Sequence, residues 1–173
     1  FIPNEEIREE FIRSIKNGSR KELVKAVELS DKLLRATINK DESTVAEIIG
    51  EAHQANTSPK FYNNEQALRS VVIMAYLSSV DDYIRFEELA SGKGYIDLLF
   101  LPALQSSKPA LIIELKWNKS AEKAIQQEQD QQYWKFAKQF RYKGKILLVG
   151  INYNSKTKKH TCKIKEIESL EKN

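Results

Sequence analysis

"GKGYIDLLFLP" (residues 92–102) and "ALIIELKW" (residues 110–117) each carry a carboxylate in the middle of an apolar run. Asp97 sits within Tyr95–Phe100, and Glu114 follows Leu111-Ile112-Ile113. A buried ionised carboxylate is costly unless it is paired, hydrogen-bonded or bound to metal. Both runs read as strands. Alternate residues of a strand share a face, so Glu114 and Lys116 point one way. Leu111, Ile113, Leu115 and Trp117 point the other way, into a core layer. A solvated Glu114–Lys116 pair on a half-exposed strand is one reading. Asp97 favours another, because its strand is otherwise apolar on both faces. Asp97, Glu114 and Lys116 would then converge. Such a group suits a hard divalent cation with oxygen ligands, such as Mg²⁺, which keeps several waters. It also suits phosphodiester hydrolysis, in which a metal polarises the phosphoryl oxygen and activates a bound water. The lysine would orient that water or neutralise developing charge.

Working outward, the first half of the chain reads as helices. Asn4 caps a segment to about Lys16, with Glu5 and Glu6 in its first turn, and Gly18 ends it. Ser19-Arg20-Lys21-Glu22 has the form of a capping box. It opens a helix with Leu23, Val27, Leu33, Leu34 and Ile38 on or near one stripe. Thr44-Val45-Ala46-Glu47 reads as a second capping box, for a helix to about Ala55. Asn56 to Lys60 reads as a linker, and a further helix begins at Asn63 or Asn64. The period then becomes strand-like over Tyr83–Leu89, with a turn at Ser91–Gly94. Strands follow at Tyr95–Leu101 and Ala110–Trp117. Ser120 caps a long glutamine-rich helix, residues 120–140. Lys145–Tyr153 is an apolar strand of the kind covered on both faces, and His160–Ile167 is the last strand. The predicted order from residue 62 is α-β-β-β-α-β-β.

Composition narrows the function. Of the 173 residues 41% are hydrophobic, enough for a real core. A net charge of +4 permits a polyanionic partner without requiring one. The single Cys162 excludes an intrachain disulfide and fits a reducing compartment; with His53 and His160 it shows no zinc-ligand spacing. No segment resembles a signal peptide, and no apolar run approaches the ~20 residues of a membrane helix. A cytoplasmic location is the expectation. The chain begins at Phe1 and reads as a piece of something longer. Gly92-Lys93-Gly94 precedes a strand, so it is a turn and not a phosphate loop, and no Walker-type loop is present. The basic turn Lys156, Lys158, Lys159 and His160 reads as a solvated loop or as a phosphate contact. Trp117 and Trp134 read as core or interface.

The pattern of Asp97, a spacer, and Glu114-Leu115-Lys116 resembles the core of the PD-(D/E)XK nuclease superfamily. "NNEQALRSVVIMAYLS", "GKGYIDLLFLP", "PALIIELKWNKSAEKAI" and "KILLVGINYNSKTKKH" resemble one branch in particular. That branch is the nuclease-like C-terminal domain of bacterial proteins with an AAA-ATPase-like domain upstream. The likeness spans roughly residues 60–168, with a weaker echo at "PNEEIREEF". The superfamily's proline before the first aspartate is replaced by Ile96.

The resemblance implies an α/β, restriction-endonuclease-like core: αβββαβ, with helices flanking a mixed central sheet. It would occupy residues 61–173, after an N-terminal helical segment, 1–60. It implies a metal-dependent nuclease, with DNA as the expected substrate and Mg²⁺, or Mn²⁺, as the cofactor. Asp97 and Glu114 resemble the metal-binding carboxylates and Lys116 the catalytic lysine. Glu65 resembles the acidic residue of the first core helix, although a first-turn glutamate also suits the helix dipole. Gln127 matches the glutamine of the helix after the E-x-K strand; Gln129 and Tyr133, four apart, form a competing pair. "QQEQDQQYW" departs from the lysine-rich helix the resemblance implies. The partners implied are nucleic acid and the upstream ATPase-like domain, with no membrane and no particular oligomeric state. The alternative is the same fold used without catalysis, to bind nucleic acid or a partner or to serve the ATPase domain.

Overall fold

The two most apolar strands become the centre of the sheet. In a computed structural model, which describes residues 20–56, 64–104 and 106–167, strands β3 (Ala110–Trp117) and β4 (Ile146–Asn154) are buried along almost their whole length. They run parallel, with Glu114 opposite Gly150 and Lys116 opposite Asn152. Strands β1 (Tyr83–Ser91), β2 (Gly94–Pro102) and β5 (Lys159–Ile167) complete a five-stranded sheet in the order β1-β2-β3-β4-β5. Every other pairing is antiparallel. A parallel pair needs a crossover, and the segment between β3 and β4 supplies a helical one. The result is a mixed α/β sheet with helices on both faces, as a restriction-endonuclease-like core requires.

On one face lie α1 (Arg20–Ile38), α2 (Glu42–Asn56) and α3 (Glu65–Ala75). Leu33, Ile49, Leu68 and Val72 share an apolar cluster there with Leu98, Leu111, Ile113 and Val149. The helices before residue 61 are thus continuous with the sheet's core. Glu42 ties α2 to β5, accepting from the Ile164 amide at 2.9 Å and from Lys163 Nζ at 2.9 Å. On the other face lie α4 (Ala121–Asp130) and the short α5 (Phe136–Gln139). Ile125, Tyr133 and Phe136 pack there on Ile96, Leu99, Ile112 and Leu148.

Several sequence expectations shift. The helix predicted at Asn4–Lys16, the start of the box at Ser19 and most of the linker lie outside the described residues. Val27 leaves the predicted stripe and is 45% exposed, whereas Leu33, Leu34 and Ile38 of that stripe keep the contact, joined by Leu29 and Ala36. α2 starts at Glu42, and its cap is Asp41: the Thr44 amide donates to Asp41 Oδ1 at 3.1 Å and the Thr44 hydroxyl to Oδ2 at 2.7 Å. Thr44 therefore serves the cap and is not the cap, because an aspartate three residues earlier competes for the same amide. Asn64 does cap α3, accepting from the Ala67 amide at 2.9 Å. The long helix expected over 120–140 is interrupted. α4 stops at Asp130, Gln132 turns left-handed (φ 56°), and a 3₁₀ turn at Tyr133–Lys135 precedes α5. The break brings the Gln131 carbonyl to the Lys93 amide (3.0 Å) and the Tyr133 carbonyl to the Ser91 hydroxyl (2.9 Å), docking the β1–β2 hairpin.

Gly150 sets how closely α4 approaches the sheet beside Glu114. A Cβ at this position would lie 2.4 Å from the Ala121 carbonyl oxygen and 2.8 Å from Ala124 Cβ. Neither neighbour is the flexible end of a side chain, so the helix itself must move. Gly150→Ala is expected to destabilise the fold by about 1–3 kcal/mol, as overpacking does; the shift in urea midpoint measures it.

Candidate active site

Asp97 marks the point where β2 and β3 part. Their register runs through Phe100↔Leu111, Leu99↔Ile112 and Leu98↔Ile113, then ends. Beyond it, the Leu115 amide donates to Asp97 Oδ2 at 2.9 Å, so a side-chain carboxylate takes the place of a strand carbonyl. The alternation of β2 also breaks here. Leu98 and Phe100 face the first cluster, whereas Ile96 and Leu99 face the second. On β1, Glu88 has φ 50° and interrupts its strand's alternation in the same way, with Phe86 and Leu89 both on the second cluster.

Glu114 and Lys116 are not a solvated pair. They are 2% and 6% exposed, and Lys116 Nζ meets Glu114 Oε1 at 2.7 Å. The other oxygen, Glu114 Oε2, is buried with no hydrogen-bond partner. Burial pushes the Glu114 carboxyl up to about 7, Asp97 pushes it further and Glu65 adds a smaller repulsion, while Lys116 opposes them. Asp97 and Glu65 therefore lie within electrostatic reach of Glu114. Glu65 is half-buried in the first turn of α3.

Gln127, on the half-buried side of α4, donates from Nε2 to the Tyr133 hydroxyl at 3.0 Å. Burial pushes that phenol up to about 12; the Gln127 bond opposes the shift, and Glu114, Asp97 and Glu128 add to it. Gln127 thus borders the group through Tyr133. The competing Gln129–Tyr133 pair has no continuous helix to stand on, since α4 ends between the two residues.

Two residues were missed by the sequence reading. Arg69, 13% exposed in its side chain, bridges Asp97 Oδ1 and Glu88 Oε1, each at 2.6 Å. It stands four residues after Glu65 on α3, one turn along the same face. Glu128 is fully buried, and neither of its oxygens makes a well-formed hydrogen bond. Burial raises its carboxyl well above the ordinary range. Repulsion from Glu114 and Asp97 adds to this, with the Val149 backbone and Lys116 in opposition. A signal for it existed. Ala121, Ala124, Ile125 and residue 128 form the apolar stripe of α4, and an acid at the fourth place is anomalous.

Among the described residues, no three His, Cys, Asp or Glu side chains form a ready ligand set. A Mg²⁺-type ion requires only one or two carboxylates and brings its own waters. The orphaned Glu114 Oε2, within electrostatic reach of Asp97, fits that demand, since a buried acceptor without a partner calls for one.

Both raised acids destabilise the folded state as pH rises. A carboxyl whose folded pKa exceeds its unfolded one binds its proton more tightly when folded. Its contribution is complete below the unfolded value and is lost as pH climbs through the folded value. In chelator, thermal stability should therefore fall between pH 4.5 and about 7. Glu114→Gln should flatten that slope in calorimetric melts. Glu128→Leu removes a buried acid at similar volume. It should raise stability at pH 7 by about 1–3 kcal/mol, read from denaturant unfolding.

No curated protein matches the chain. A family model described as the PD-(D/E)XK nuclease superfamily matches residues 63–163, from the residue before the Asn64 cap to β5. The match covers more than half of the chain, including the parting of β2 and β3 and the buried Glu114–Lys116 pair, and the chain belongs to the PD-(D/E)XK nuclease superfamily.

Proposed function

We propose that the chain is a metal-dependent nuclease domain hydrolysing phosphodiester bonds, with DNA as its substrate. One observation carries the reading: the buried Glu114–Lys116 pair, with Glu114 Oε2 unpartnered and Asp97 close by. Asp97 and Glu114 would hold Mg²⁺ or Mn²⁺, and Glu65 would complete or extend the site. When bound, the cation supplies charge for the phosphoryl oxygen and lowers the pKa of a water. Lys116 would hold the attacking water in line or offset charge building on the phosphate. Its short bond to Glu114 fixes the ammonium for that task. Gln127 would set the Tyr133 hydroxyl at the rim of the site.

The likeness of residues 60–168 to nuclease-like domains that follow an AAA-ATPase-like domain supports such a domain as partner. With DNA as substrate, the bacterial cytoplasm would be its place of action. No helix among the described residues is long and apolar enough to cross a membrane. A binding module without turnover is the second reading. It is favoured by the engagement of both Asp97 oxygens within the protein.

Mg²⁺ or Mn²⁺ should support cleavage of duplex DNA, and chelator should abolish it. Asp97→Ala and Lys116→Met should each lower the rate about a hundredfold or more, the scale on which lost transition-state charge stabilisation operates. A parent that binds DNA but leaves DNA and RNA intact with either cation would establish the binding module instead.

A further inference from the structure

A guanidinium at Asp97 occupies ground that a cation would need. Arg69 Nη2 lies 2.6 Å from Asp97 Oδ1, in a pair whose side chains are 13% and 14% exposed. Charge-assisted bonds of this length are strong, and desolvation strengthens them further. The same guanidinium reaches Glu88 Oε1 at 2.6 Å, although Glu88 is 64% exposed. Its third donor, Nε, is buried and has no partner. Arg69 is therefore held by one buried acid and one surface acid, with its bonding incomplete. Glu88 sits in left-handed backbone (φ 50°), a conformation that strains a non-glycine residue. That conformation interrupts β1 opposite Asp97, since Glu87 pairs with Leu98 and Leu89 with Ile96.

We propose that Arg69 is the resident counter-ion of Asp97, displaced from it by a divalent cation and kept nearby by Glu88, so that the Arg69–Glu88 pair sets the site's cation affinity. The inference rests on the reading of Asp97 as a cation ligand. A dication and a guanidinium on one carboxylate repel each other, so one must yield. Glu88 gives the guanidinium a second acid and lowers the cost of yielding. Without Glu88, Arg69 has Asp97 alone and holds it harder. Without Arg69, Asp97 is an uncompensated anion and takes a cation more readily.

Mn²⁺ titration by calorimetry, in the absence of nucleic acid, tests this in the parent, Arg69→Met, Glu88→Gln and the double variant. Arg69→Met should bind Mn²⁺ at least about tenfold more tightly, about 1.4 kcal/mol in binding free energy. Glu88→Gln should bind it a few-fold more weakly. In the Arg69→Met background Glu88→Gln should change nothing, because Glu88 acts only through the guanidinium. Arg69→Met that binds Mn²⁺ no more tightly than the parent overturns the inference and makes Arg69 a structural brace. An equal effect of Glu88→Gln in both backgrounds also overturns it. If Arg69→Met does not fold, Glu88→Gln, at an exposed side chain, decides alone: unchanged or tighter binding refutes the proposal. Asp97→Asn separates the two levels. If it binds Mn²⁺ as the parent does, the ligand reading of Asp97 fails and the inference falls with it.

Discussion

The structure turns on a carboxylate and an ammonium held in a strand that is buried on both faces. β3 lies between β2 and β4, under helices on either side, and its residues 110–116 are all buried. Glu114 and Lys116 could not remain charged there singly. Their 2.7 Å contact makes the strand tolerable, and it leaves one Glu114 oxygen over. An apolar pair of similar volume would cost less, since buried ion pairs seldom outdo hydrophobic replacements. The stability forgone is consistent with the proposed site. The parting of β2 follows from the same place: an intact β2–β3 ladder past Leu98 would close the sheet beside Glu114. Asp97 permits the opening because its carboxylate satisfies the Leu115 amide that the ladder abandons.

The cover over this opening depends on an absence. Gly150 faces Glu114 across the parallel pair, and its missing Cβ lets Ala121 and Ala124 of α4 come down to the sheet. That approach places Glu128 near the group and Gln127 beside Tyr133. The left-handed turn at Gln132 then swings Tyr133 and Phe136 into the second cluster. A straight helix through residue 140 would have carried the Tyr133 hydroxyl elsewhere. The glutamine-rich stretch is therefore two short helical pieces hinged at the point where it docks the β1–β2 hairpin.

Strands were legible because their signals are local. Val, Ile and Leu runs bounded by Gly92, Pro109 and Asn154 fix β2, β3 and β4 within a residue or two. Asp97, Glu114 and Lys116 were legible for the same reason, as charges in apolar text. The break at Gln132 was not, since nothing in "QQEQDQQYW" forbids a helix; the left-handed residue is selected by tertiary docking to Lys93 and Ser91. Arg69 was missed because its partners, Glu88 and Asp97, lie 19 and 28 residues away, and no periodicity links a helix to a kink in a distant strand. Glu128 was legible in principle from the apolar stripe of α4. The neighbouring glutamines drew the reading to Gln127 and Gln129 instead.

Charge decides what can approach this opening. Asp97 and Glu65 act on Glu114, Glu114 and Asp97 act on Glu128, and against these four acids stand Lys116 and Arg69, which Glu88 also engages. Burial and mutual repulsion raise the Glu114 and Glu128 carboxyls, so the group resists carrying its full negative charge, inside a chain whose net charge is +4. A polyanion drawn by the net positive charge would meet a cluster of acids at the group itself. Surface attraction is screened within about 8 Å at physiological salt, whereas a partly dry cleft is screened far less. If the group holds a dication as proposed, a phosphodiester would meet a favourable sign at Glu114 only once that cation is bound. Cation first, phosphate second is the order the proposal implies. It would give the surplus of acids a purpose that stability alone does not supply.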